Sequence, residues 1–83
     1  MKIRVRYFAQ LREIMGCSEE WVETEAPDVA GLRRQLMDRG AREAEALAEG
    51  KALRCALNQQ LCAWHTPLHA EAEVAFFPPV TGG

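Results

Sequence analysis

The chain has 83 residues, a formal net charge of -2, and is 48% hydrophobic and 27% charged. A chain this short rarely divides into two cores and hides only a little over ~60% of its unfolded surface, which excludes a multidomain enzyme and leaves little room for a deep private active site. Ten Lys plus Arg against twelve Asp plus Glu leave no general basic field for a phosphate backbone, and the apolar content excludes a fully disordered chain.

No apolar run approaches the ~20 residues that span a bilayer. The opening Met1-Lys2-Ile3-Arg4-Val5-Arg6 alternates charge with apolar residues instead of forming a signal-peptide core. The expected compartment is therefore the cytoplasm. Three cysteines, Cys17, Cys55 and Cys62, are too few and too irregular for a secreted disulfide framework, and reduced thiols fit that setting.

Lys2 to Ala9 alternates, with Ile3, Val5 and Tyr7 on one face and Lys2, Arg4, Arg6 and Phe8 on the other, which predicts a half-buried strand. Ala9 to Met15 reads as a short helix with Leu11, Ile14 and Met15 on one side, stopped by Gly16. Glu19 to Glu25 alternates again, Glu20, Val22 and Thr24 against Trp21 and Glu23, until Pro27. Asp28 is placed as the N-cap of the main helix, 29–39, with an apolar stripe at 29, 32, 36 and 37 and Gly40 closing it. Gly31 in its first turn costs roughly 1 kcal/mol against Ala, so packing must hold this helix. Arg42 to Ala48 predicts a shorter helix ending at Gly50.

Leu53 to Leu57 reads as a strand, Asn58-Gln59 as a turn, and Gln60 to Trp64 as its antiparallel return, with Pro67 breaking the chain. Glu73 to Phe77 is the last strand, ended by Pro78-Pro79. The order predicts an α+β roll: a mixed sheet of four to five strands, one main helix and short helices. Residues 1–77 form the expected domain and 78–83 an extended tail.

That tail, Pro78-Pro79-Val80-Thr81-Gly82-Gly83, carries the chemistry. Extended, it reaches about 20 Å, the prolines stiffen its exit, and Gly82-Gly83 lets a partner close around bare backbone. A terminal carboxylate is a poor electrophile, so it requires activation, and adenylation by ATP makes a mixed anhydride that a sulfur or nitrogen nucleophile attacks.

The run Phe76-Phe77-Pro78-Pro79-Val80-Thr81-Gly82-Gly83, with Tyr7-Phe8-Ala9-Gln10-Leu11-Arg12-Glu13 and Ala56-Leu57-Asn58-Gln59 upstream, resembles the small subunits of molybdopterin synthases along essentially the whole chain. The resemblance implies the ubiquitin-like β-grasp fold. It implies that a ubiquitin-activating-like adenylyltransferase activates Gly83 with ATP, that a sulfur donor enzyme converts it to a thiocarboxylate, and that the tail enters the large subunit. There sulfur passes to cyclic pyranopterin monophosphate to build the molybdopterin dithiolene, in an assembly of two small and two large subunits. His69-Ala70-Glu71-Ala72 departs from the resemblance by lacking an Asp-Gly turn. Alternatives sharing the tail chemistry are a carrier for thiazole or cysteine synthesis and a ubiquitin-like modifier; a plain interaction domain with an inert tail is the third.

Around the tail root, alternation turns Phe8, Leu61 and Phe77 outward as a partner surface, consistent with the hydrophobic docking the resemblance implies. Arg12 joins them as an interface residue, within a basic stripe of Lys2, Arg4 and Arg6 that is either a solvated face or a docking register. The three cysteines read as structural, and Trp21 and Trp64 as packing residues. Cys62, His65 and His69 make an incomplete metal set, because Pro67 prevents a helical histidine pair and a fourth ligand is lacking. No bound cofactor is expected; ATP belongs to the activating partner.

Overall fold

The computed structural model describes residues 1–48 and 52–79. Its elements are β1 (Lys2–Tyr7), α1 (Gln10–Met15), β2 (Glu19–Glu23), α2 (Val29–Met37), α3 (Ala41–Ala46), β3 (Arg54–Leu57), β4 (Gln60–Cys62) and β5 (Glu73–Phe77). The five strands form one mixed sheet in the order β2-β1-β5-β3-β4. β1 runs parallel to β5, and β1–β2, β3–β4 and β3–β5 are antiparallel. The expected α+β roll is the observed architecture.

Alternation in β1 sends Ile3, Val5 and Tyr7 into the core, where they meet Val74 and Phe76 of β5 and Val29, Leu32 and Leu36 of α2. All of these are at most 1% exposed, the condition under which each large apolar side chain contributes about 1.5–3 kcal/mol. Phe76 stacks between Tyr7, at 6.4 Å, and Trp64, at 6.0 Å between ring centroids. Arg33 closes that stack, its guanidinium 4.1 Å from the Trp64 ring centroid. Its Nε and Nη2 donate to the carbonyls of Leu47 and Ala48, just past the end of α3, where a helix dipole favours a cation. A buried arginine thus joins α2, α3 and the loop after β4.

Asp28 caps α2 as its sequence position predicts, its Oδ1 accepting from the Gly31 amide at 2.8 Å. The next two donors are used as well: Val29 and Ala30 amides bond the carbonyls of Thr66 and Trp64. Gly31 is explained by close approach, since a Cβ there would lie 3.1 Å from the Ala26 Cβ and 3.3 Å from Asp28 Oδ1.

Several boundaries differ from the sequence expectation. α2 ends at Met37, and Gly40, expected to close it, instead precedes α3 as its N-cap in extended conformation. β4 stops at Cys62, because the chain must leave the sheet for Trp64 and Thr66 to reach the N-terminus of α2. Gly50, the expected end of the second helix, lies outside the described residues. Trp21 is not a packing residue: it is 56% exposed, because alternation on edge strand β2 places it on the uncovered sheet face opposite Arg4.

Candidate functional site

Helices cover one face of the sheet and leave the other open at β1, β5, β3 and β4. On that open face Ala56 and Ala75 stand directly opposite one another across β3 and β5, each only 8% exposed. Leu61 faces Ala56 from β4 and is 71% exposed, while Phe8, past the end of β1, is 37% exposed. Phe8 and Phe77 meet edge to face, with ring centroids 6.4 Å apart and planes at 88°. Two small residues between three large ones leave a groove of about 500 Å³ lined by Phe8, Ala56, Leu61, Ala75, Phe77 and Pro78, among others. The sequence expectation therefore brings Phe8, Leu61 and Phe77 to one place. Arg12 lies on the exposed side of α1 and does not line this groove.

The chain leaves Phe8 through a strained turn. Ala9 has φ of 56° and ψ of -137°, a region that costs a side-chain-bearing residue about 1–3 kcal/mol and that sequence reading placed at an ordinary helix start. Ala9 also lines the groove, so this strain sits at the candidate site.

The groove has a charged margin. Glu73, 7% exposed, bonds Arg4 Nη2 through Oε1 at 2.5 Å and pairs with Arg6 Nη1 through Oε2 at 3.6 Å. Arg4 also faces Glu19 at 3.7 Å, and the Arg6 guanidinium lies 5.1 Å from the Phe8 ring centroid. Parallel pairing of β1 with β5 sets Arg4 directly opposite Glu73. Two arginines of the expected basic stripe thus meet an internal carboxylate rather than standing as uncompensated charge.

The ThiS family model matches residues 5–83. The chain belongs to the ThiS family. Over 81 residues it is 46% identical to the molybdopterin synthase sulfur carrier subunit of Escherichia coli strain K12, covering 98% of this chain and 99% of that protein. It is 38% identical to the protein of the same description from Haemophilus influenzae, with the same coverage. Among solved structures, a protein–protein complex of subunits 1 and 2 of the molybdopterin-converting factor from Helicobacter pylori 26695 contains a chain that matches with a TM-score of 0.70 and 26% identity, over 100% of both chains.

In this ThiS-family chain, Pro78 lines the open-face groove and also, with Pro79, a second cavity of about 380 Å³ between α1 and α3 that includes Leu11, Ile14 and Leu53. The tail root therefore leaves the body between two concave surfaces. Val80, Thr81, Gly82 and Gly83, on which the sequence places the reactive tail, lie outside the described residues.

On the covered side of the sheet a polar cluster ties the end of β1 to β2 and to the residues just past α2. Tyr7 Oη donates to Glu20 Oε2 at 2.7 Å, and Arg39 Nη1 pairs with the same oxygen at 2.8 Å. Burial works against ionisation of Glu20, but these two donors outweigh it and hold its carboxyl below the usual range. Burial, then the Glu20 carboxylate, pushes the Tyr7 hydroxyl well above its ordinary range. His69 of the incomplete metal set bonds Asn58 instead, and among the described residues no group of three His, Cys, Asp or Glu could hold a metal ion.

Proposed function

We propose that this chain is the sulfur carrier subunit of a molybdopterin synthase, acting in the cytoplasm. The observation that carries this reading is 46% identity, over 98% of this chain and 99% of the relative, to a protein of that description. In it, a ubiquitin-activating-like adenylyltransferase spends ATP to adenylate the carboxylate of Gly83, and a sulfur donor enzyme supplies the sulfur that makes it a thiocarboxylate. The body binds no cofactor of its own. Residues 78–83 act as a tail that carries the sulfur into a large subunit, where cyclic pyranopterin monophosphate accepts it. The assembly contains two small and two large subunits.

Physical chemistry supports the division of labour. A thiocarboxylate on Gly83 is the transferable group, so the body needs no nucleophile or base; it needs a docking face beside the stem. The groove of Phe8, Leu61 and Phe77 is such a face, apolar, partly exposed and continuous with Pro78. Val80, Thr81, Gly82 and Gly83 then thread the partner, with Arg12 at the margin of the contact. The related Helicobacter pylori protein has been solved in complex with subunit 2 of its converting factor.

Replacing Leu61 tests this docking role, because its side chain leaves the core untouched. Leu61→Asp should keep the melting temperature within a few degrees and weaken binding to the large subunit by about a hundredfold or more, the loss expected for a charge at the centre of an apolar contact. Binding within threefold of the parent protein would remove the groove from the interface.

A further inference from the structure

The sulfurs of Cys55 and Cys62 lie 3.6 Å apart, on residues that face each other directly across β3 and β4. Opposed residues of antiparallel strands have Cα atoms about 4.5–5.5 Å apart, inside the roughly 4.4–6.8 Å span of a disulfide, so the backbone spacing of this pair is one that a disulfide bridges. Both are free thiols. Their settings differ: Cys55 is 1% exposed on β3, whereas Cys62 is half-buried on the outermost strand. Cys17 precedes β2, at the opposite edge of the sheet.

We propose that Cys55 and Cys62 are a peroxide-sensitive dithiol that closes to an intrachain disulfide inside the native fold. Hydrogen peroxide first oxidises Cys62, the more accessible sulfur. An S–O bond forms as the O–O bond breaks, the sulfur gives up two electrons, and the thiol proton leaves with the released hydroxide as water. The Cys55 sulfur then attacks the Cys62 sulfur, the S–S bond forms, the S–O bond breaks, and the departing hydroxide takes the Cys55 proton as a second water. Two thiols and one peroxide thus yield one disulfide and two waters. Burial and the neighbouring Cys62 push the Cys55 thiol up to about 12, against the opposing charge of Arg33 from α2. Cys55 is thereby the less able of the two to meet the oxidant first, and its attack on the oxidised Cys62 relies on the 3.6 Å approach of the two sulfurs.

The bond would clamp a weakly held part of the sheet. β4 has three residues, pairs only with β3, and carries Leu61 between Gln60 and Cys62. Fixing Cys62 to Cys55 anchors the residue beside Leu61 to a strand in the core. This clamp is independent of what docks on Leu61.

The full chain, reduced and then treated with hydrogen peroxide at near-stoichiometric amounts, should lose about 2 Da in intact mass and remain a monomer. Chymotryptic cleavage after Leu57, which lies between the two cysteines, should release the Cys55 and Cys62 peptides as one linked species, separated by dithiothreitol. Cys17→Ser should retain the loss and Cys62→Ser should abolish it. The oxidised protein should melt several degrees higher, with slower hydrogen exchange at the β4 amides. Gains of about 16 or 32 Da without the loss, links through Cys17 or between chains, or a lower melting temperature on oxidation would overturn the proposal.

Discussion

Glu20 shows how one side chain sets a pH response. Its folded carboxyl titrates below the ordinary glutamate value of 4.5, so the bonds from Tyr7 and Arg39 stabilise the fold above that value and are lost as pH falls through the folded one. Glu20→Gln should therefore be less stable than the parent protein at pH 7, with the gap narrowing below about pH 4.5. Melting curves at pH 7 and pH 3 check this; a gap that stays constant would mean that the carboxylate's charge contributes nothing. At the groove, Ala56 and Ala75 matter for what they lack. Ala75→Leu should fill the floor and weaken large-subunit binding about tenfold or more while the chain stays folded, measured by calorimetry and circular dichroism. Unchanged binding would show that the partner does not enter the groove.

The β3–β4 hairpin illustrates what local sequence can and cannot disclose. Asn58-Gln59 was legible as its turn, and both residues adopt left-handed φ, 49° and 70°. The Asn58 side chain uses this geometry, accepting from the Glu73 amide through Oδ1 at 2.9 Å, whereas the strain at Gln59 has no such return. Gln59→Gly should stabilise the protein by up to about 1 kcal/mol, after the extra entropy of a glycine in the unfolded chain is set against the left-handed cost. A thermal or denaturant midpoint at or below that of the parent would contradict it. The missing Asp-Gly before β5 has a similar resolution: Glu71 takes a φ of 65° there, so the turn persists with a residue that signals it poorly.

Strands were readable because their period of two is local, and the outward set Phe8, Leu61 and Phe77 followed from it. Their meeting was not in the periodicity alone. It depends on β5 lying between β1 and β3, a pairing between distant parts of the chain. The same non-local pairing explains the neutralised arginines, since Glu73 reaches Arg4 only through the β1–β5 register. Gly40 misled because the glycine that ordinarily follows a helix here precedes the next one. Trp21 misled because hydrophobicity does not tell which face of an edge strand is covered. Arg33 gave no signal, as a buried cation is recognisable only once its carbonyl acceptors stand next to it.

At the scale of the whole molecule, the body is a small β-grasp with one face covered by helices and one face open, and the proposed docking and chemistry belong to that open face and to the stem that leaves beside it. The family match extends to residue 83 and includes both glycines. Removing Gly83 should therefore abolish sulfur loading without disturbing the core, because the sheet ends at Phe77. Gly83→Ala should impair activation more than docking, since only the threading of the last residue changes.

The decisive measurement is the intact mass of the chain after incubation with ATP, a sulfur donor and its cognate activating enzyme, beside the same protein lacking Gly83. The account predicts a gain equal to replacing one oxygen by sulfur in the full chain and none in the truncated one. No gain in the full chain, with the same enzyme loading a control carrier, would contradict it.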